Sequence, residues 1–137
     1  MKTALDSNIL SALWSNEPSA ERIETELKGA RALGGIVISG PVYVEIMAYP
    51  LAPRAFVERF LSETGIHVDF DLDASVWHRA AEGFSAYAHR RRRSGGNSPK
   101  RLLSDFLIAA HALLRADRLM TLDPSRYQQD FPELRLV

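Results

Sequence analysis

Ile36-Val37-Ile38-Ser39-Gly40-Pro41-Val42-Tyr43-Val44-Glu45-Ile46-Met47-Ala48-Tyr49 is the stretch that decides the fold class. Its first three residues are consecutive, apolar and β-branched, so they read as a brief strand buried on both faces. Ser39-Gly40-Pro41 then reads as a helix start with Pro in the first turn, and residues 42–49 carry the helix on. A strand without a polar face, followed at once by an apolar helix, is the unit of a parallel sheet covered by helices.

The same unit recurs on either side. Upstream, residues 2–5 predict a short strand that stops at Asp6-Ser7-Asn8, three residues that favour turns and helix starts, with a short helix over 9–14. Ala20, Ile23, Leu27 and Ala30 then recur at helical spacing until Gly34-Gly35. Downstream, Pro50 and Pro53 punctuate the chain, residues 55–63 are amphipathic, and residues 66–68 form a weak third strand. Asp71 or Asp73 is placed to cap a long helix over 74–92, and Ser94-Gly95-Gly96-Asn97 is the clearest loop. Ser98-Pro99 starts a helix that reaches Arg115, residues 119–122 form a fourth strand, and residues 134–137 are a candidate fifth. The expected fold is α/β: three layers, α/β/α, around a short central parallel sheet of four to five strands. No repeat, low-complexity tract or linker interrupts the pattern, so residues 1–137 are expected to form one domain.

Composition narrows the chemistry. The chain has 137 residues and no cysteine, which excludes disulfides, Cys-ligated zinc, iron–sulfur clusters and thiol catalysis. Seventeen basic and 17 acidic residues cancel, but the charge is unevenly placed: Arg90, Arg91, Arg92 and Arg93 run together, with Lys100 and Arg101 close behind. No apolar run approaches the ~20 residues of a membrane span, and Asp6 interrupts the N-terminus before a signal-type run builds up. A cytoplasmic location, with no membrane partner, is expected.

Ligands of parallel sheets sit in the crevice beyond the carboxyl ends of the strands. Asp6 and Asp123 each follow a predicted strand and belong at that edge. Glu45 is the only charge between Gly40 and Pro53, and Asp105 the only acid between Gly83 and Ala116, each on an apolar helix. A carboxylate buried on such a helix costs several kcal/mol unless something compensates it. Taken singly, each has an ordinary explanation: Asp6 as a helix cap, Glu45 paired with an arginine, Asp105 at a helix start, Asp123-Pro124 as a turn. Four acids at one edge with few nearby cations suggest more, because converging carboxylates repel and a divalent cation relieves the repulsion. An oxygen-only donor set suits magnesium or manganese rather than zinc. Asp69, Asp71 and Asp73 form a competing cluster, superficially like the Asp-x-Asp of phosphotransferases. The strand before them is poorly hydrophobic, and a solvated loop ending in a helix cap accounts for them better.

The ordered acids carry a family resemblance. Asp6-Ser7-Asn8-Ile9-Leu10 resembles the opening acid motif of PIN-domain nucleases, and Val44-Glu45-Ile46 their mid-chain glutamate. Ser104-Asp105-Phe106-Leu107-Ile108-Ala109-Ala110-His111-Ala112 is similar to the third motif, and Leu119-Met120-Thr121-Leu122-Asp123 to the fourth. All four occur in the family's order over essentially the whole chain, and length and spacing look most like the VapC toxins of toxin–antitoxin pairs. Ser7 stands where threonine is commoner, and Tyr127 stands where some relatives carry a further acid.

The resemblance implies a magnesium-dependent (Mg2+, with Mn2+ as substitute) endoribonuclease toxin, neutralised by a cognate antitoxin and forming a homodimer. It implies Asp6 and Asp105 as the central metal-binding pair, with Glu45 and Asp123 completing the catalytic cluster. Ser7, Asn8 and Thr121 are candidates for supporting or phosphate hydrogen bonds. Arg90–Arg93, Lys100 and Arg101 are candidates for gripping RNA, although cations ending a helix also answer its dipole. The Gly95-Gly96 segment is expected to be free to close over a substrate or dock a partner. His111, Trp14, Trp77 and Tyr87 read as packing or interface residues. A noncatalytic nucleic-acid-binding or scaffold module on the same fold is the alternative, and a small phosphatase using Asp69 and Asp71 a more distant one.

Overall fold

The computed structural model describes residues 1–137. Strands β1 (Thr3–Leu5), β2 (Ile36–Ser39), β3 (Ile66–Asp69) and β4 (Arg118–Met120) form one sheet in the order β3-β2-β1-β4, every neighbouring pair parallel. Between and beyond them lie α1 (Ser7–Trp14), α2 (Ala20–Leu33), α3 (Gly40–Met47), α4 (Arg54–Thr64), α5 (Ala74–Arg93), α6 (Leu103–Arg115) and the one-turn α7 (Ser125–Gln128). β1 and β2 are buried at every residue, as consecutive apolar positions require when helices cover both faces. The result is the expected three-layer α/β/α arrangement, and no helix is long and apolar enough to cross a membrane.

The strand order creates the site's position. From β1 the chain steps outward through β2 to β3, then returns to place β4 on the other side of β1. The point where the order reverses, between β1 and β4, is where parallel sheets open a crevice at their carboxyl edge. Asp6 directly follows β1, and Thr121 directly follows β4.

α6 supplies the floor of that crevice. Every residue from Asp105 to Ala112 is buried, so the helix is apolar nearly all round because it is enclosed nearly all round. It starts at Leu103 rather than Ser98. The Tyr87 hydroxyl accepts the Arg101 N–H at 2.7 Å, and the Leu102 N–H donates to the Asp105 carboxylate at 3.2 Å. Residues 98–102 therefore spend their donors outside a helical ladder.

The glycine loop before it is built rather than free. α5 ends with the Gly96 N–H on the Arg91 carbonyl (2.8 Å) and the Gly95 N–H on the Arg92 carbonyl (3.2 Å), a Schellman closure that needs Gly95 at its φ of 66°. Arg91 turns back to the carbonyls of Gly96 and Ser98, and the Ser94 and Ser98 hydroxyls meet at 3.0 Å. At the other end of the chain, Leu136 makes only an isolated bridge to Leu119, so residues 134–137 edge the sheet without becoming a fifth strand.

The Asp69, Asp71, Asp73 run is dispersed. Asp73 caps α5 through the Ser75 and Val76 N–H groups and pairs with Arg115. Asp69 meets buried His111 Nε2 at 3.0 Å and accepts the Asp71 N–H. Burial alone would raise the Asp69 carboxyl, but the His111 and Asp71 hydrogen bonds outweigh it and leave it below its usual value. His111 is held below its own usual value by burial.

Candidate active site at the carboxyl edge of the sheet

Asp6 is 1% exposed and accepts three hydrogen bonds. Its Oδ1 takes the Ser7 N–H at 2.8 Å, which makes it the cap of α1. Its Oδ2 takes the hydroxyls of Thr121 at 2.9 Å and Tyr127 at 2.6 Å. Burial and the Asp6 charge push the Tyr127 phenol far above its ordinary range, so it stays a donor. Thr121 also accepts from Asn8 Nδ2 (3.3 Å) and from the Asp123 N–H (3.1 Å), while Asn8 Oδ1 accepts the Leu122 N–H (3.2 Å). One threonine thus ties the end of β4 to the start of α1.

Glu45 reaches the crevice from α3. Ser7 Oγ donates to its Oε1 at 3.0 Å and Ser104 Oγ to its Oε2 at 3.2 Å. Burial pushes its carboxyl above the usual range, with the charges of Asp6 and Asp105 adding to burial and the two serines opposing it. Asp105, 5% exposed in the first turn of α6, is likewise raised by burial and by Asp6, against Arg126 and the Leu102 N–H. Asp6, Glu45 and Asp105 therefore form one electrostatically coupled group.

Asp123 stands apart from that group. Its carboxylate accepts from Ser125 Oγ at 2.8 Å and lies 3.3 Å from Arg126. The other arm of Arg126 is 3.6 Å from Asp105, so the guanidinium bridges the two aspartates. Of the basic run, Arg90 pairs with Asp130 at 2.7 Å, Arg91 is committed to the loop carbonyls and Arg92 leans on His89. Arg93 and Lys100 are exposed.

The sequence placed the four acids, Ser7, Asn8 and Thr121 but not Ser104, Arg126 or Tyr127. Ser104 adjoins Asp105 and Arg126 lies three residues after Asp123, so both had a local signal. Tyr127 was marked only as standing where some relatives carry a further acid; its contact with the Asp6 carboxylate, 121 residues away, left no local signal. Ser39 was also missed. The pairing Ala4↔Val37 puts Asp6 and Ser39, two residues further along each strand, on the same face of the sheet, and the buried Ser39 hydroxyl has no partner.

The donor chemistry fits a hard divalent cation: three coupled carboxylates, an unpartnered hydroxyl on the sheet face that Asp6 shares, and one arginine as counter-charge. Hydroxyls and Arg126 hold these carboxylates, and no three acidic or histidine side chains already enclose a metal position.

The burial of the Glu45 carboxyl, with the charges of Asp6 and Asp105 added, has a measurable consequence. Because the folded-state Glu45 carboxyl is raised, the folded form gives up that proton less readily than the unfolded chain. Stability is therefore lost as pH rises from the ordinary glutamate value of about 4.3 through the raised one. Glu45→Gln removes this cost while keeping an acceptor for the serines. In EDTA its thermal midpoint should exceed the native one near neutral pH, because the charged form no longer has to be accommodated in the fold. The gap should close below about pH 4. A gap that persists in acid would show that packing, not charge, sets it.

Fold and site together define an α/β domain with a carboxylate centre at the switch point of a parallel sheet. The chain belongs to the PIN domain family, whose model matches residues 3–132. Solved structures of similar fold include VapBC2 from Rickettsia felis bound to a DNA fragment from its promoter, at 21% identity and a TM-score of 0.69, covering 100% of this chain and 98% of that one. VapBC-1 from nontypeable Haemophilus influenzae is similar at 22% identity and a TM-score of 0.65, covering 100% and 97%. No curated protein sequence matches the chain.

Proposed function

We propose that the chain is a divalent-metal-dependent endoribonuclease, the toxin of a type II toxin–antitoxin pair, acting through Asp6, Glu45, Asp105 and Asp123. The observation that carries this reading is the mutually repelling group of Asp6 and Asp105, both buried, with partly buried Glu45, at the switch-point crevice. Such a group opposes folding unless a cation answers it, which is the mark of a site kept for chemistry. Membership of the PIN family supports a nuclease, and the likeness in fold to the two VapBC proteins supports a toxin with a protein antitoxin as partner. A homodimer acting in the cytoplasm completes the proposal.

Magnesium or manganese held by Asp6, Asp105 and Glu45 would supply Lewis-acid neutralisation of the phosphate and a more acidic bound water. The chain's part is positional. Three donors fix Asp6 against rotation, Ser7 and Ser104 hold both oxygens of Glu45, and α6 fixes Asp105 from below. Arg126 sits where charge on a phosphodiester would need an answer. In the hydrolysis, a water oxygen adds to phosphorus, the bond to the departing nucleotide oxygen breaks, and that oxygen takes up a proton.

The test is a mixed RNA pool incubated with the protein in magnesium, and again with EDTA. Fragments that require the metal support the nuclease. RNA that is bound but stays intact, with no metal taken up in a calorimetric titration, assigns the chain to noncatalytic binding instead.

A further inference from the structure

Beside the carboxylates lies a second, differently charged hollow. A polar cleft of about 90 Å³ opens between the α5–α6 connection and α7, with Arg90, Ser98, Arg101, Ser125, Arg126 and Asp130 in its walls. Only one of its three arginines is neutralised within the cleft: Arg90 pairs with Asp130. The Arg101 guanidinium has no acidic partner, while its backbone N–H donates to the buried Tyr87 hydroxyl at 2.7 Å, which fixes where the side chain leaves the main chain at the cleft wall. Arg126 is shared, lining the cleft while reaching Asp105 and Asp123. The cleft is thus one guanidinium away from the carboxylate group.

We propose that this cleft binds a backbone phosphate of single-stranded RNA next to the scissile one, with Arg101 and Arg126 as its cationic partners. The inference rests on the ribonuclease reading and deepens it by naming where the strand is held. An unpaired Arg101, an Arg126 held in place by Asp105 and Asp123, and a serine on either wall match the acceptor chemistry of a phosphodiester. The opposite signs of cleft and carboxylate group also set the strand's path: a phosphate enters the cleft unaided, but meets the carboxylates only once a cation is there. Within the basic run, this separates Arg101, which faces the cleft, from Arg93, which is exposed outside it.

The test is anisotropy of a fluorescein-labelled single-stranded RNA in EDTA, where nothing is cut, between about 50 and 200 mM salt. Arg101→Ala should weaken binding about 5–10-fold at the lower salt and flatten the slope of log K against log salt by about 0.7, one phosphate contact on a single strand. Arg101→Lys should keep the slope, and Arg93→Ala should change the affinity less than about twofold. Equal thermal midpoints will show that Arg101→Ala is folded. Equal losses in Arg93→Ala and Arg101→Ala would replace the cleft with a diffuse basic field and overturn the proposal, as would an unchanged Arg101→Ala. A native protein that cuts RNA in magnesium but is indifferent to Arg101, or that binds no RNA in EDTA, retains the nuclease and loses the cleft; one that cuts no RNA in magnesium loses the nuclease reading on which the cleft rests.

Discussion

Asp105→Asn is expected to lower metal-dependent RNA cleavage by more than about 10³-fold while leaving the fold intact. Metal-based charge stabilisation is worth several kcal/mol, and about 4 kcal/mol is a factor of 10³ in rate. Asp105 is the informative acid because the substitution is nearly silent structurally. Its carboxylate takes one backbone N–H, from Leu102, which an asparagine Oδ1 still accepts, though more weakly. The ion pair to Arg126, at 3.6 Å, is long, and Asp123 remains to hold that guanidinium. Asp6→Asn would be a poorer probe: all three of its partners are donors, so an amide NH2 would face a hydroxyl or an N–H. Cleavage rates, read beside thermal midpoints in EDTA, decide the matter. Cleavage within tenfold of native, with magnesium still required, would place the catalytic metal elsewhere.

Thr121→Val should produce the second large effect, on both stability and rate. The substitution keeps shape and β-branching but deletes a hydroxyl with three partners: the Asp6 carboxylate, the Asn8 amide and the Asp123 N–H. A hydrogen bond to a charged group is worth about 1.5–3 kcal/mol, and a buried donor left unpaired costs about 1–3 kcal/mol. A loss of about 2–4 kcal/mol in denaturant unfolding follows. Cleavage should fall by about 10²-fold, the effect of displacing a catalytic group by roughly 1 Å. Thr121→Ser restores the hydroxyl and should recover most of the rate. Equal behaviour of the two variants would show that Tyr127 and the Ser7 N–H alone hold Asp6.

Particular elements show why some of this was legible in the sequence. Ile36-Val37-Ile38 has no polar position, so it had to be covered on both faces, and β2 is buried throughout. The α5 cap at Asp73 and the α3 start at Gly40-Pro41 were equally local. The start of α6 was not, because Pro99 is compatible with a helix and only the Tyr87 hydroxyl, 14 residues away, takes the Arg101 N–H out of it. Gly95-Gly96 read as a free loop for the same reason: glycine marks a turn, while the closure depends on Arg91 and Ser94 folding back on it.

The site divides along the same line. Alternating strands and helices and the isolation of four acids could be read from the sequence, because burial on both faces and charge on an apolar helix are signals within a few residues. Which acids meet was settled only by the strand order β3-β2-β1-β4, which sets β4 beside β1 and so brings Thr121 and Tyr127 onto Asp6. Arg126, three residues after Asp123, pairs with it locally, and the packing of the fold brings the same guanidinium to Asp105. Periodicity and composition act over one or two turns of chain. The hydroxyls and the arginine that hold these carboxylates mostly come from far along it, and only the packing of helices on the sheet brings them there.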